Sequence, residues 1–155
     1  MDLISMLPLL GGWSFHVVDI RPPGFEVPAG KRHIVAEIDK PGWLCGGSVY
    51  LKHKLATVEM AAGDPSRGRQ ALRLKPAEMY AAGCVSPNPV GPWLSRYDET
   101  TDDYVIIFSP SIFLPFSRSG TISVEAPPDA PVRVVALYGG AYVIEDADAF
   151  VRSLH

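Results

Sequence analysis

The sequence predicts an all-β fold, an antiparallel β-sandwich of jelly-roll type with two short helices, and three observations carry that prediction. Apolar and polar residues alternate with a period of two in several segments, as they do where an extended chain sends successive side chains to opposite faces. Fifteen prolines and fourteen glycines fall between the apolar runs, where turns are needed, and leave no room for long helices. The strand-like segments number about eight to ten at the spacing of a sandwich or jelly roll, with no internal repeat and no βαβ pattern.

Taken in order, Trp13, Phe15 and Val17 share one face of a first strand, with Asp19 beyond them, and Pro22, Pro23 and Gly24 close it. A second strand covers His33 to Ile38, and Pro41-Gly42 turns the chain. Val49, Leu51 and the run Leu55 to Met60 read either as two strands meeting around Lys52 to Lys54 or as one long strand with a bulge there. Gln70 to Lys75 alternates again. Pro76 to Ala82 is a short helix, with proline at its first position and Gly83 placed to cap its end.

The breakers Pro87, Pro89, Gly91 and Pro92 define a loop that leads into Trp93 to Tyr97. Tyr104 to Phe108, Thr121 to Glu125 and Val132 to Tyr138 follow as strands, and Gly139-Gly140 bends or bulges the last one before Ala141 to Ile144. Asp146 caps a C-terminal helix whose Ala147, Phe150, Val151 and Leu154 lie at helical spacing. A chain of 155 residues, 47% hydrophobic and 20% charged, suits one domain over 1–155, with 1–12 as an N-terminal arm and 145–155 as the C-terminal helix.

A formal net charge of −3 and scattered basic residues leave no positive field for a phosphate backbone, so nucleic acid is not expected as a partner. Met1 to Leu10 is apolar but carries Asp2 and Pro8 and is too short to span a bilayer; neither a signal peptide nor a membrane anchor is expected. Cys45 and Cys84 are too few for a disulfide framework and are expected as reduced, partly buried thiols.

The search for chemistry yields no enzyme motif. A cupin-type metal site needs two histidines close in sequence, a carboxylate and a later histidine, and His16, His33, His53 and His155 offer no such pair. No metal and no cofactor are expected. The sequence has no Gly-x-Ser-x-Gly elbow, no Gly-rich phosphate loop and no His-Glu-x-x-His helix. The acidic cluster Asp98, Glu99, Asp102 and Asp103 reads as a solvated loop between two strands and does not fit an EF-hand. Trp13, Trp43, Trp93 and Tyr97 would suit a sugar-stacking platform, but Trp13 and Trp93 sit in strand patterns and are expected in the core. Trp43, in a Pro-Gly-Trp turn, is the candidate for an exposed contact.

Ser111 to Phe116 is an apolar stretch bracketed and interrupted by Pro110 and Pro115, which argue against a central ladder position. It is expected either to plug one end of the sandwich or to contact a neighbouring subunit.

Tyr80 to Gly83, Gly91 to Asp98, Tyr104 to Pro110, Leu114-Pro115-Phe116 and Val132 to Gly139 together resemble a pattern in small β-sandwich virion proteins of tailed bacteriophages. The resemblance covers about the second half of the chain and transfers no family-specific functional residue. It implies a non-enzymatic jelly-roll subunit that decorates or cements a capsid, located in the virion after assembly in the host cytoplasm. The partners it implies are further copies of the chain and capsid or other virion subunits; separately, the apolar segment Ile112 to Phe116 is expected to contribute to a homo-oligomer, a trimer as the first expectation. The candidate interface comprises Leu9, Leu10, Trp43, Ile112, Phe113, Leu114 and Phe116. A carbohydrate-binding module and a small jelly-roll enzyme of unassigned chemistry are the alternatives.

Overall fold

Ten strands among the described residues form two antiparallel sheets. The structure is a computed structural model describing residues 11–64, 68–87 and 91–154, with the backbone alone for 64, 68, 69 and 109–113. The strands are β1 (Trp13–Ile20), β2 (Phe25–Val27), β3 (Arg32–Ile38), β4 (Gly42–Leu51), β5 (Thr57–Asp64), β6 (Gly68–Leu74), β7 (Trp93–Asp98), β8 (Asp103–Phe116), β9 (Ser119–Glu125) and β10 (Val132–Ile144). One sheet runs β1-β10-β4-β8-β7, with β2 also on β10; the other runs β3-β9-β5-β6.

The order is that of a jelly roll. β1 pairs with β10, β3 with β9, β4 with β8 and β5 with β6, so the chain is one long nested hairpin rolled up until successive pairs alternate between the sheets. β1 and β2 both run along β10 and form one edge strand, interrupted at Pro22-Pro23, where two residues lack the N–H a ladder needs. β4 and β5 lie in different sheets, which resolves the ambiguity at Lys52 to Lys54 in favour of two strands.

The two inner faces supply the core. Leu44, Val49, Leu51, Tyr104, Ile106, Val132, Val134, Leu137 and Val143 from the larger sheet meet Val58, Met60, Ile122 and Val124 from the smaller one, all buried. Each such side chain contributes about 1.5–3 kcal/mol of transfer free energy. Helix α1 (Pro76–Ala81) begins at proline and ends where Gly83, at φ +78°, takes the left-handed conformation that a side chain disfavours. Its Met79 is buried against the sandwich. Helix α2 (Ala147–Ser153) is capped by Asp146, whose carboxylate accepts from the Ala149 N–H at 3.0 Å, and it buries Phe150. No helix among the described residues is long and apolar enough to cross a membrane.

The structure refines three local readings. On β1 the core-facing residues are Val18 and Ile20, so Trp13, Phe15 and Val17 lie on the outer face of the sheet and Trp13 is half-buried there. Ser14 and His16 share the inward face with Val18 and Ile20, so alternation favours the opposite phase and only the opposing sheet sets the one adopted. Residues 109–116 continue strand β8, at an edge and not at the central ladder position that Pro110 and Pro115 argue against. The registered pairing to β7 stops at Ile107, so Phe113 to Phe116 pair with β4 on one side alone, and proline is tolerated on such an edge. Between Phe108 and Phe113 four residues of β8 stand opposite Gly46 alone, a large bulge. The register of β4 on β10 also shifts between Gly139 and Gly140, as the glycine pair suggested.

Leu137 is 2% exposed in the middle of the core, so Leu137→Ala is expected to destabilise the fold by about 2–5 kcal/mol. Val151, 51% exposed on α2, is the control: Val151→Ala should shift stability by no more than about 0.5 kcal/mol. Chemical denaturation of both variants measures the difference.

Candidate functional site

The outer face of β1 and β10 holds an aromatic and aliphatic stripe. Phe15 and Val17 are 44% and 51% exposed, and Tyr138 on β10 is 50% exposed. The ladder sets Phe15 opposite Tyr142, Val17 opposite Gly140 and Asp19 opposite Tyr138, so these side chains share one face, with the Asp19 carboxylate at its Tyr138 end. The Phe15 ring lies 4.9 Å from that of Tyr142, and Trp13 lies 5.5 Å from Tyr142 on the same face. Gly140 is the seat of the Phe15 ring, since a Cβ there would come within 2.4 Å of its Cζ. The glycine pair thus serves a close approach as well as a bulge. Contiguous apolar surface of this kind marks contact sites.

Of the residues singled out by sequence, Trp43, Leu114 and Phe116 are brought together on neighbouring strands, with Trp43 opposite Pro115, Leu44 opposite Leu114 and Gly42 opposite Phe116. Phe116 is 6% exposed and Leu114 packs against the core, so both side chains fill the sandwich rather than face a neighbour. Trp43 is half-buried, with its ring 6.3 Å from Phe150. Trp43, Pro115, Phe116, Ile144 and Gln70 line a cleft of about 380 Å³ at one end of the sandwich. Leu9 and Leu10 lie outside the described residues, as do the side chains of Ile112 and Phe113. Trp93, expected in the core, is half-buried opposite Ile107. Cys45 is half-buried, and burial raises its thiol pKa, whereas Cys84 is exposed rather than partly buried.

The acidic cluster is structured more tightly than a solvated loop. Asp103 is buried and accepts from Tyr50 Oη at 2.5 Å and Lys52 Nζ at 2.7 Å, with Arg96 at 3.4 Å. Lys52 and then Tyr50 hold its carboxyl well below the usual carboxylate range. Asp98 accepts from the backbone N–H of Thr100 and Thr101, an Asx-turn at the head of the β7–β8 hairpin. Glu99 accepts from Tyr97 Oη at 2.8 Å and Lys54 Nζ at 3.2 Å. Asp103 through Lys52 and Glu99 through Lys54 fasten the hairpin to the β4–β5 turn.

A second cluster joins Ser14, His16, Glu145 and Lys40. Ser14 Oγ donates to Glu145 Oε1 at 2.6 Å, His16 Nε2 lies 2.9 Å from both, and Lys40 Nζ pairs with the other carboxylate oxygen. A Ser–His–carboxylate relay needs the hydroxyl on one imidazole nitrogen and the carboxylate on the other. Here both sit on Nε2. The group therefore clamps the start of β1 to the end of β10, and Lys40, then Ser14 and His16, bring the Glu145 pKa down to about 2.

The third cluster crosses the smaller sheet. Arg32 Nε donates to Ser123 Oγ at 3.0 Å, while the buried Glu59 carboxylate pairs with Arg32 and Arg73, each at 3.3 Å. Two arginines compensate the cost of burying that charge. Among the described residues no group of three or more His, Cys, Asp or Glu side chains is placed to hold a metal ion.

One further surface group was missed by sequence reasoning in part. Tyr97 belonged to the candidate platform, but its partner is Tyr80, whose ring stacks on it at 4.2 Å and 11° while remaining 55% exposed. Tyr97 meets the buried Tyr104 edge-on at 5.0 Å, and burial followed by its bond to Glu99 pushes its hydroxyl pKa up to about 12. The tyrosines are seventeen residues apart, and only the docking of α1 on β7 joins them.

The fold and these surfaces define the chain as a jelly-roll β-sandwich. The sequence matches no family model and no curated protein. Two chains among solved structures match. One belongs to the crystal structure of the infectious bursal disease virus VP2 subviral particle, at 12% identity, over 90% of this chain and 43% of that one, with a TM-score of 0.25. The chain thus spans less than half of that protein's length, and the jelly-roll assignment stands on its own strand order.

The Glu145 cluster predicts an acid-dependent stability. Because the folded pKa is about 2 against an ordinary 4.5, the clamp's contribution is fully present above 4.5 and is lost as the pH falls toward 2. Melting temperature should decline across that window, and Asp103, lowered in the same direction, adds to the decline. Glu145→Gln should melt lower at neutral pH and lose less on acidification. Added salt should narrow the difference between the two proteins, since the cluster is partly exposed.

Proposed function

We propose that this chain is a non-enzymatic structural subunit, a virion accessory protein of a tailed bacteriophage that decorates or cements a capsid through oligomeric contacts. The observation that carries the reading is the exposed stripe of Phe15, Val17 and Tyr138 on the outer face of β1 and β10. A rigid sandwich that leaves such a stripe uncovered on its own surface is suited to binding. The polar clusters support the same reading, because the hydrogen bonds and ion pairs of Asp103, Glu145 and Glu59 join strands or turns of the sandwich. The jelly roll serves shells and lectins alike, so the strand order agrees with the reading without selecting it.

The mechanism is binding without a chemical step. Contacts that exist only in the assembled state stabilise it by mass action, and several weak contacts held in one oligomer raise occupancy on a symmetric lattice. Buried area of standard interface size would suffice for specificity.

A carbohydrate-binding function is the second reading, favoured by the half-exposed Tyr80 held flat on Tyr97. Light scattering of the full chain, followed by co-sedimentation with phage heads stripped of their accessory proteins, tests the first reading. Its expected outcome is an oligomer that binds the shell saturably. A monomer that ignores shells but is retained on immobilised hexose polymers, and loses that retention in Tyr80→Ala, would replace it with the second.

A further inference from the structure

One end of the sandwich opens into the cleft of about 380 Å³, which is lined from both sheets. Trp43 at the start of β4, Phe116 at the end of β8 and Ile144 at the end of β10 form its walls on the larger sheet, and Ala62 on β5 faces them from the smaller one. None of the residues that line it carries an ionisable side chain, and the polar side chains among them are Gln70 and Ser117. A charged or strongly polar ligand finds few partners there, and an unpaired polar group costs free energy when it leaves water. Such a cleft suits an uncharged, apolar occupant.

The chain enters the fold at this same end. β1 runs antiparallel to β10 with Trp13 opposite Ile144, so the residues before β1 join it where β10 finishes and the cleft opens. Gly12 fixes the entry: its carbonyl accepts from the N–H groups of Glu145 at 2.8 Å and Asp146 at 3.0 Å, directly after Ile144. Residues 3–10, outside the described residues, read Leu-Ile-Ser-Met-Leu-Pro-Leu-Leu, with six large apolar side chains and no charge. An extended chain covers about 3.3–3.6 Å per residue, so a segment tethered beside Ile144 spans a cleft of this volume with residues to spare.

We propose that residues 3–10 of the same chain occupy this cleft and close the end of the sandwich with their apolar side chains. Tethering selects this occupant over a free one: joined at Gly12, the segment meets the cleft at an effective concentration on the order of millimolar, with no encounter step. Chemistry selects it too, because the uncharged lining loses little on being covered by an uncharged segment, and the apolar walls of Trp43, Phe116 and Ile144 gain by leaving water. Leu9, Leu10 and Trp43, grouped from sequence as a candidate interface, thereby meet within one subunit. The inference stands apart from the oligomeric reading, which the stripe on β1 and β10 carries.

Two measurements on the full chain test it. In a Trp13→Phe, Trp93→Phe protein Trp43 is the sole indole, and acrylamide should quench its fluorescence weakly. Adding Leu7→Asp and Leu10→Asp should raise the quenching several-fold while the β circular dichroism persists, since a carboxylate does not enter an apolar cleft unpaired. Quenching that the aspartates leave unchanged overturns the proposal. Where the doubly charged variant fails to fold, p-benzoylphenylalanine at position 7 of the otherwise unchanged chain decides. Irradiation is expected to cross-link it, in material of monomer mass, to peptides holding Trp43, Phe116 or Ile144. Cross-links to those peptides in material of dimer mass alone assign the cleft to the same segment of a second copy and overturn same-chain docking. Cross-links elsewhere, or none, overturn it outright.

Discussion

The fold depends on β10, the strand that must be covered on three sides at once. Its thirteen residues pair with β1 and β2 along one edge and β4 along the other, while Val132, Val134, Leu137, Ala141 and Val143 face the smaller sheet. Apolar burial is non-directional, and a valine-rich strand would accept many neighbours. The nested antiparallel pairing is what makes the choice unique: once β10 lies between β1 and β4, β9 is carried to β3 and β8 to β4. Gly46 and the Gly139-Gly140 pair absorb the register differences that result, so the bulge is a consequence of closing the sandwich rather than an isolated irregularity.

The polar clusters finish what burial leaves open. The Ser14, His16, Lys40 and Glu145 group ties the first strand to the last, and the Tyr50, Lys52, Arg96 and Asp103 group ties a hairpin to the turn between sheets. Each joins segments far apart in sequence at the margins of the sheets, where apolar contacts thin out. Partly exposed ion pairs contribute modestly to stability, and their greater effect is on which arrangement of the margins is retained. The Glu59 pairings with Arg32 and Arg73 do the same across three strands of the smaller sheet.

The same closure leaves one strand unprotected. Turning Val18 and Ile20 inward sends Phe15 and Val17 outward, because side chains on a strand alternate and cannot both serve the core. Tyr138 and Tyr142 extend that surface over β10, and Gly140 lets the Phe15 ring lie flat against it. An apolar outer face on a strand without lysine, arginine or proline is the feature from which the binding reading grows.

Local chemistry was readable along the chain. Apolar patterning gave most of the strands, though not β2 (Phe25–Val27), the first half of β4 or the end of β8, while Pro76 and Gly83 bounded α1 and Asp146 capped α2, because each of these signals is a property of a few neighbouring residues. The phase of β1 was not readable, since Ser14 and His16 share the inward face with Val18 and Ile20 and only the opposing sheet selects it. Nor was the fate of Leu114 and Phe116, whose apolar character suits an interface and a core equally; pairing with β4 put Phe116 inside. The Tyr80–Tyr97 stack and the burial of Asp103 likewise wait on segments distant in sequence being folded together. By itself the sequence determined a β chain, its turns and its two caps, which are set by backbone geometry within a few residues. The tertiary structure alone decided which apolar face is covered and which is left for another molecule, because burial is a property of what lies opposite.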